Sequence, residues 1–328
     1  MATDPLSGAS FPVPDARSAW WRRASAAVLG LALLAGTALP AAAGIIPVGN
    51  PQDATPARAT PEVSRIVAVE EAIPYREVDG VELALDACRP AGSGNAPVAA
   101  IVLVHGGSWI TGTRDADYWR QVCEATAEAG FAGFAISYRL APEYTYPAAV
   151  EDVAAAVEWL REPAQVDRFG IDPARVGIIG ESAGGHLGAL VGVTGEGDWT
   201  TGSRVSAVAS LAGPMDLTSD ALAYVSPLQA RVALGFLGCD DIEDCPQTVA
   251  ASPVRQVDPT DPPFLIMHAE DDPIVPVEQS EVMAAELEEA GVEHELIIVP
   301  GSEHASAMLI DDALLADLFT FMAEELAL

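Results

Sequence analysis

From about residue 73 onward, short runs of apolar residues alternate with longer stretches whose apolar positions recur every three or four residues. Residues 99–104, 131–137, 176–179, 205–211, 264–267 and 295–299 are the runs, each with the length and continuity of a strand covered on both faces. Residues 118–129 read as a helix closed by Gly130, and residues 148–160 put Val150, Val153, Ala154, Val157 and Leu160 on one helical face. Further helices are expected over 183–193, 228–237, 278–290 and 306–326. Residues 81–88 instead alternate apolar and polar positions, as an edge strand with one wet face does. Repeated strand–helix units predict an α/β fold, a mostly parallel central sheet with helices on both faces. Ligands then bind beyond the C-terminal ends of the strands. The alternation lapses between about 214 and 263, where proline, aspartate and two cysteines gather. That block reads as a small cap-like insertion placed to cover a site.

Length and composition add to this picture. A chain of 328 residues, half of them apolar, can bury a large core in one domain with insertions. Its formal charge is −32, and all 16 basic residues are arginine. A field of that sign repels nucleic acid and anionic lipid, so neither is an expected partner. A well-solvated acidic surface and adaptation to high salt both account for the charge. Near the start, Arg22-Arg23 precede an uncharged run over 24–48 in which Ala41-Ala42-Ala43 follows Pro40. Positive flank, apolar stretch and small residues together resemble an export signal, with cleavage expected after Ala43. The rival reading is a retained membrane anchor, since the run is long enough to span, although its alanine, glycine and proline are poor for a stable span. Either way the catalytic part is expected outside the cytoplasm, with membrane contact only through an uncleaved N-terminal segment. Residues 44–72 carry Pro51, Pro56 and Pro61 and read as a linker, so the folded domain is expected over 73–328.

The four cysteines suit an oxidising compartment. They permit three pairings, among which sequence does not choose. The pairing adopted is Cys88 with Cys123, and Cys239 with Cys245 in the acidic loop that holds both. Two thiolates without a nearby histidine make a poor metal site, and neither metal nor cofactor is expected.

Four loops at strand ends carry the chemistry. His105-Gly106-Gly107-Ser108-Trp109 follows 99–104, and Gly180-Glu181-Ser182-Ala183-Gly184 follows 176–179. Glu270-Asp271-Asp272-Pro273 follows 264–267, and Ser302-Glu303-His304 lies just beyond 295–299. Gly-x-Ser-x-Gly alone arises by chance too often to decide anything. Between a strand and a helix, with an acid and then a histidine later in the chain, it has the order Ser, Asp, His of one hydrolase fold. These motifs, with Ser137-Tyr138-Arg139-Leu140-Ala141-Pro142-Glu143, resemble those of α/β-hydrolase carboxylesterases, in particular the bacterial feruloyl-esterase-like and hormone-sensitive-lipase-like enzymes. Ser137 and Ser108 depart from the family pattern, which has aspartate and commonly a third glycine at those places.

The resemblance implies a serine hydrolase acting on a small-molecule ester, with Ser182 as nucleophile, His304 as base and Asp272 orienting the base. Glu270 and Asp271 rival Asp272, which the following Pro273 and the likeness to the family's acid loop favour. Backbone N–H groups of Ala183, Gly107 and Ser108 would form the oxyanion hole. His105 reads as a brace of the glycine-rich loop, with Gly106, Trp109 and Glu181 supporting the loop or contacting substrate. His186 reads as a packing group, His268 ends a strand, and His294 precedes one. An amidase, formamidase or prolyl-oligopeptidase-like peptidase would use the same triad. A non-catalytic surface binding module is the reading from a different class. Acyl and alcohol specificity and oligomeric state are not legible.

Overall fold

The computed structural model describes residues 67–91, 96–223 and 225–326, so the expected export segment and the expected linker up to residue 66 lie outside the described residues. Among the described residues, β1 (Val67–Val78), β2 (Val81–Pro90), β3 (Val98–Val104), β4 (Ala132–Ile136), β5 (Ile171–Glu181), β6 (Ala207–Leu211), β7 (Phe264–Ala269) and β8 (His294–Val299) form one sheet. Its order is β1-β2-β4-β3-β5-β6-β7-β8. β2 pairs antiparallel with both neighbours, and every other pairing is parallel. The strands buried along nearly their whole length, β3, β4, β6 and β7, are the uninterrupted apolar runs.

The helices are α1 (Asp117–Ala129), α2 (Ala148–Leu160), α3 (Pro163–Phe169), α4 (Ala183–Thr194), α5 (Ser219–Leu222), α6 (Pro227–Leu237), α7 (Glu278–Ala290) and α8 (Asp312–Glu325). The two-residue period of β3 divides them. Ala100, Val102 and Val104 pack into a core shared with α2, α4 and α7. Ile101 and Leu103 face a second core built with α1 and α8. α4 is buried on every side from Ala183 to Val193. Its small residues let it lie close against the sheet: a Cβ on Gly184 would collide with the carbonyl of Val104.

Three expectations are corrected. The folded domain begins by Val67 rather than near Ile73, because β1 pairs with β2 through an Asp79-Gly80 turn with φ of 53° and 75°. Aspartate–glycine is the residue pair that a tight hairpin of this hand requires. β1 therefore takes the edge, and β2, with Leu83, Leu85 and Ala87 buried, is an inner strand. The helix expected over 306–326 is interrupted. A 3₁₀ turn at Ala305–Ile310 gives way to α8 at Asp311, whose carboxylate accepts from the N–H groups of Ala313 and Leu314 and restarts the helix as its N-cap. α3 was not anticipated, although Pro163 at its start and a left-handed Gly170 at its end are ordinary boundary residues. The block over 214–263 contains α5, α6 and a 3₁₀ turn at Pro253–Arg255, between β6 and β7.

β3 lies between β4 and β5, so the chain steps from β3 outward to β4 and then crosses back past it to β5, reversing direction there. A crevice opens over the C-terminal ends of β3 and β5, where an α/β sheet binds its ligand. No helix among the described residues is long and apolar enough to cross a membrane.

Cys88 on β2 is bonded to Cys123 on α1, and Cys239 to Cys245 within the insertion, at sequence separations of 35 and 6. Loop-closure entropy in the unfolded chain scales with those separations. Removing the first bridge should cost about 4 kcal/mol of stability and removing the second about 2. Denaturant unfolding of the paired Cys→Ala variants measures both, with the larger loss expected for Cys88/Cys123.

Candidate active site

β5 ends at Glu181 and α4 begins at Ala183, which leaves Ser182 alone in the turn with φ 53° and ψ −121°. A left-handed backbone at a non-glycine residue costs about 1–3 kcal/mol and persists only where the surroundings enforce it. Here the Ser182 N–H donates to the carbonyl of Leu211 at 2.8 Å, and its own carbonyl accepts from the His186 N–H at 3.0 Å. Ser182 occupies the N-cap position of α4, yet its hydroxyl caps nothing. It faces the loop after β8 instead, where His304 Nε2 lies 2.9 Å from Ser182 Oγ.

His304 Nδ1 is 2.6 Å from Asp272 Oδ2. A carboxylate only accepts, so Nδ1 carries the proton and Nε2 is left to accept from the serine hydroxyl. Asp272 is buried at the end of β7, while the rivals Glu270 and Asp271 are exposed. Its second oxygen accepts the N–H groups of Ile274 at 2.7 Å and Val275 at 3.1 Å. Burial alone would raise its pKa. The hydrogen bonds from His268, His304 and Ile274 outweigh that, and the group stays well below the ordinary carboxylate range.

The loop after β3 is held to the same centre. Glu181, next to the nucleophile, accepts the Gly106 N–H at 2.8 Å and the Tyr118 hydroxyl at 3.1 Å. Burial raises its pKa, against the lowering that those two donors exert. His105 stacks on Tyr138 with centroids 4.3 Å apart, and the Tyr138 hydroxyl donates to the His105 carbonyl at 2.9 Å. His105 Nδ1 meets the Gly106 carbonyl at 2.7 Å, so its ring hydrogen bond is made within the glycine-rich loop. Gly107, Ser108 and Trp109 follow with φ of 114°, 56° and 61°. A side chain on Gly107 would collide with the Thr111 carbonyl. The two non-glycine residues are held through Trp109. Its indole N–H donates to His186 Nδ1 at 3.1 Å, its ring stacks on Phe236 of α6, and its carbonyl accepts from the Ala141 N–H. His186 Nε2 in turn meets the Ala251 carbonyl at 2.7 Å, so this buried imidazole is a neutral link between the insertion and the loop.

Ser108, Trp109, Ser182 and Ala183 share the wall of a cavity of about 210 Å³. The insertion supplies most of its apolar lining, including Leu217, Leu222, Val232 and Ala233, and the acid loop adds Ile274 and Val275. Asp216 and Gln279 are polar members of the wall; Asp216 pairs with Arg255 at 2.7 Å, and Gln279 Oε1 accepts the Met215 and Asp216 N–H groups. Among the described residues no cluster of three or more histidines, cysteines or carboxylates could hold a metal ion.

The structure thus brings Ser182, Asp272 and His304 into one hydrogen-bonded line and places Ser108 and Ala183 on the same cavity wall as Ser182. Gly107 lies one residue behind, shaping the turn through its carbonyl, which accepts from the Ile110 and Thr111 N–H groups. Glu181, Gly106 and His105 support the loop. Cys88, Cys123, Cys239 and Cys245 are remote from the chemistry as crosslinks. Sequence reasoning assigned no role to Tyr118, Tyr138, Asp216, Gln279 or Ser280. The one local sign for Tyr138 was its place in the Ser137–Glu143 motif.

The sheet, the serine turn and the triad define an α/β-hydrolase of the esterase type. A family model described as BD-FAE matches residues 85–287, and the chain belongs to that family. It is 32% identical over 208 residues to Esterase LipC of Mycobacterium tuberculosis, across 60% of this chain and 50% of that protein. It is 30% identical over 223 residues to an ethyl acetate hydrolase of Pseudomonas putida, across 63% of this chain and 65% of that one. The match spans about half the length of the mycobacterial relatives. Among solved structures, a truncated carbohydrate esterase from gut microbiota superposes with a TM-score of 0.70 at 28% identity, covering 81% of this chain and 98% of that one. The propionate-bound esterase Est2 of Thermogutta terrifontis gives 0.63 at 26% identity, covering 81% and 96%.

Two outcomes are expected. Glu181→Ala, which strips the Gly106 N–H of its acceptor, should slow acylation of Ser182 by a fluorophosphonate probe about tenfold to a hundredfold. Glu181→Gln keeps an acceptor oxygen there and should lose less. The second concerns pH. Burial lowers the pKa of His105 and of His186 from 6.5 to about 4, so between those values the unfolded chain binds more protons than the folded one. Stability therefore falls as pH falls through that window, by about 2 kcal/mol per histidine between pH 6.5 and 5. Asp261, raised by burial from 3.8 to about 6, acts in the opposite sense, gaining stability as pH falls through 6. Glu181 and Glu325, also raised by burial, act in the same sense as Asp261, and the two buried histidines, both displaced to about 4, set the expected direction: denaturant midpoints should be lower at pH 5 than at pH 7.

Proposed function

We propose that the chain is an exported serine hydrolase that cleaves small carboxylic esters through an acyl-enzyme on Ser182. The observation that carries this reading is the unbroken line from Ser182 Oγ through His304 to Asp272, at 2.9 Å and 2.6 Å, opening on an apolar cavity. A serine hydroxyl is a weak nucleophile, and His304 Nε2 is placed to take its proton as Oγ attacks the ester carbonyl. Asp272 holds the imidazole in the tautomer that accepts and stabilises the imidazolium that forms. The carbonyl oxygen becomes an oxyanion, for which the N–H groups of Ala183, Gly107 and Ser108 are the donors. Each such donor contributes about 3–4 kcal/mol to the transition state. His304 then protonates the departing alkoxide, the alcohol leaves, and a water activated by His304 releases the acid and restores Ser182.

The cavity, at about 210 Å³, is smaller than the roughly 300–1,000 Å³ typical of sites for drug-sized ligands. That supports a short acyl group. The relative named for ethyl acetate and the neighbour solved with propionate point the same way. Export is supported by Arg22-Arg23, the uncharged run to residue 48 and Ala41-Ala42-Ala43. Two disulfides are crosslinks that persist in oxidising compartments and agree with it.

Turnover of acetate, butyrate and octanoate esters and of matched anilides should fall from short to long acyl chains and be far slower for the anilides. Ser182→Ala should lose more than about 10⁴-fold in kcat. Retained turnover in that variant, or anilides hydrolysed faster than esters, overturns the proposal. Mass spectrometry of the protein secreted by its host should find a mature N-terminus just after Ala43.

A further inference from the structure

We propose that His268 is a positioning residue that holds the carboxylate of Asp272 for His304, lengthening the line of the triad to begin at Ser280 on α7. The inference rests on the serine-hydrolase reading above. His268 and Ser280 are both wholly buried, although neither touches the cavity. His268 stands on β7, four residues before Asp272, so the strand that delivers the acid also delivers the imidazole.

The hydrogen bonds fix which nitrogen carries the proton. His268 Nε2 is 2.8 Å from the carbonyl of Val275 and 3.4 Å from Asp272 Oδ2. Both oxygens only accept, so Nε2 is protonated; its N–H donates to the Val275 carbonyl, with Asp272 Oδ2 at the longer distance beside it. Nδ1 is 2.6 Å from Ser280 Oγ. In the neutral ring Nδ1 accepts, and the serine hydroxyl donates. The Val275 carbonyl sets this tautomer, and the Ser280 hydroxyl satisfies the nitrogen left to accept.

Asp272 is then gripped at both oxygens. Oδ1 takes the N–H groups of Ile274 and Val275, and Oδ2 takes His304 Nδ1 and the longer contact from His268. Val275 closes the ring, since its N–H donates to Asp272 while its carbonyl accepts from His268. A rotation of the carboxylate would break bonds on both sides. A neutral donor suits this place. A lysine or arginine would fix the carboxylate too, but would offset the negative charge that has to stabilise the imidazolium on His304.

A simpler role would be a brace of the acid loop through the Val275 carbonyl alone, and three variants of the full chain separate the two. His268→Leu removes the donor, His268→Gln restores an N–H near the position of Nε2, and Ser280→Ala removes the hydroxyl that satisfies Nδ1 and holds the ring from α7. The measurements are kcat and KM on a short acyl ester, melting temperature, and the low-field proton resonance of the His304–Asp272 hydrogen bond. The proposal expects His268→Leu to lose about tenfold to a hundredfold in kcat with KM within about twofold, and to shift the resonance. His268→Gln should recover most of kcat and return the resonance, and Ser280→Ala should fall between. An unmoved resonance in His268→Leu, or equal losses in the leucine and glutamine variants, overturns it. Should His268→Leu not fold, Ser280→Ala decides: a shifted resonance with reduced kcat supports the proposal, and wild-type values for both overturn it. Failure of the serine-hydrolase reading would show separately as wild-type protein without ester turnover, whereas the resonance reports on Asp272 regardless of substrate.

Discussion

The left-handed backbone of Ser182, wedged between the buried C-terminal half of β5 and the buried helix α4, is the constraint on which the rest of the site depends. A lone turn residue with φ 53° leaves its hydroxyl unable to cap α4 and directs it to the loop after β8. The turn is tenable because α4 is made of residues small enough to lie against the carbonyls of Val104 and Gly180. Larger residues at Gly184 or Gly180 would lift the helix from the sheet and free the turn. The strain is therefore fixed by close packing, which deforms little.

Around the serine the same device recurs in three loops. His105, His186 and His268 are buried, and each has a ring nitrogen directed at a backbone carbonyl: Gly106, Ala251 and Val275 respectively. Each braces a different loop, the glycine-rich turn, the link from Trp109 to the insertion, and the acid loop. Where burial holds an imidazole neutral, as it does for His105 and His186, it fixes a loop without adding charge beside Ser182 and His304.

The large negative charge of the chain is handled elsewhere. Asp152 on α2 is wholly buried and accepts from Arg139 and Arg76, while Arg139 also reaches Asp79 and Glu151. A buried pair of this kind is stabilising only when its remaining hydrogen bonds are met, and here the Arg139 N–H and the Ala148 carbonyl complete them. The cluster anchors the segment that carries Tyr138 beneath His105. A charged network outside the cavity wall thus supports the glycine-rich loop, while the cavity itself stays mostly apolar.

The parallel sheet, the turn at Ser182, the strand-end loops that carry Ser182, Asp272 and His304, and the break in strand–helix alternation over 214–263 were all legible in the chain, because each rests on local pattern: uninterrupted apolar runs, small residues around a serine, and loops at strand ends. The Asp79-Gly80 hairpin and the Asp311 cap were also written locally, and were passed over in favour of longer periodic signals. What required the folded chain were contacts between residues far apart in sequence. Ser182 and His304 are 122 residues apart, Glu181 and Gly106 75, and Trp109 and His186 77. Pro273 and the likeness to the family's acid loop already favoured Asp272 over its two acidic neighbours, and the fold adds that it is the buried one of three adjacent carboxylates. The volume of the cavity and the part played by His268 arise only when separate loops converge, since hydrogen bonding and close packing depend on distances in space that spacing along a chain does not set.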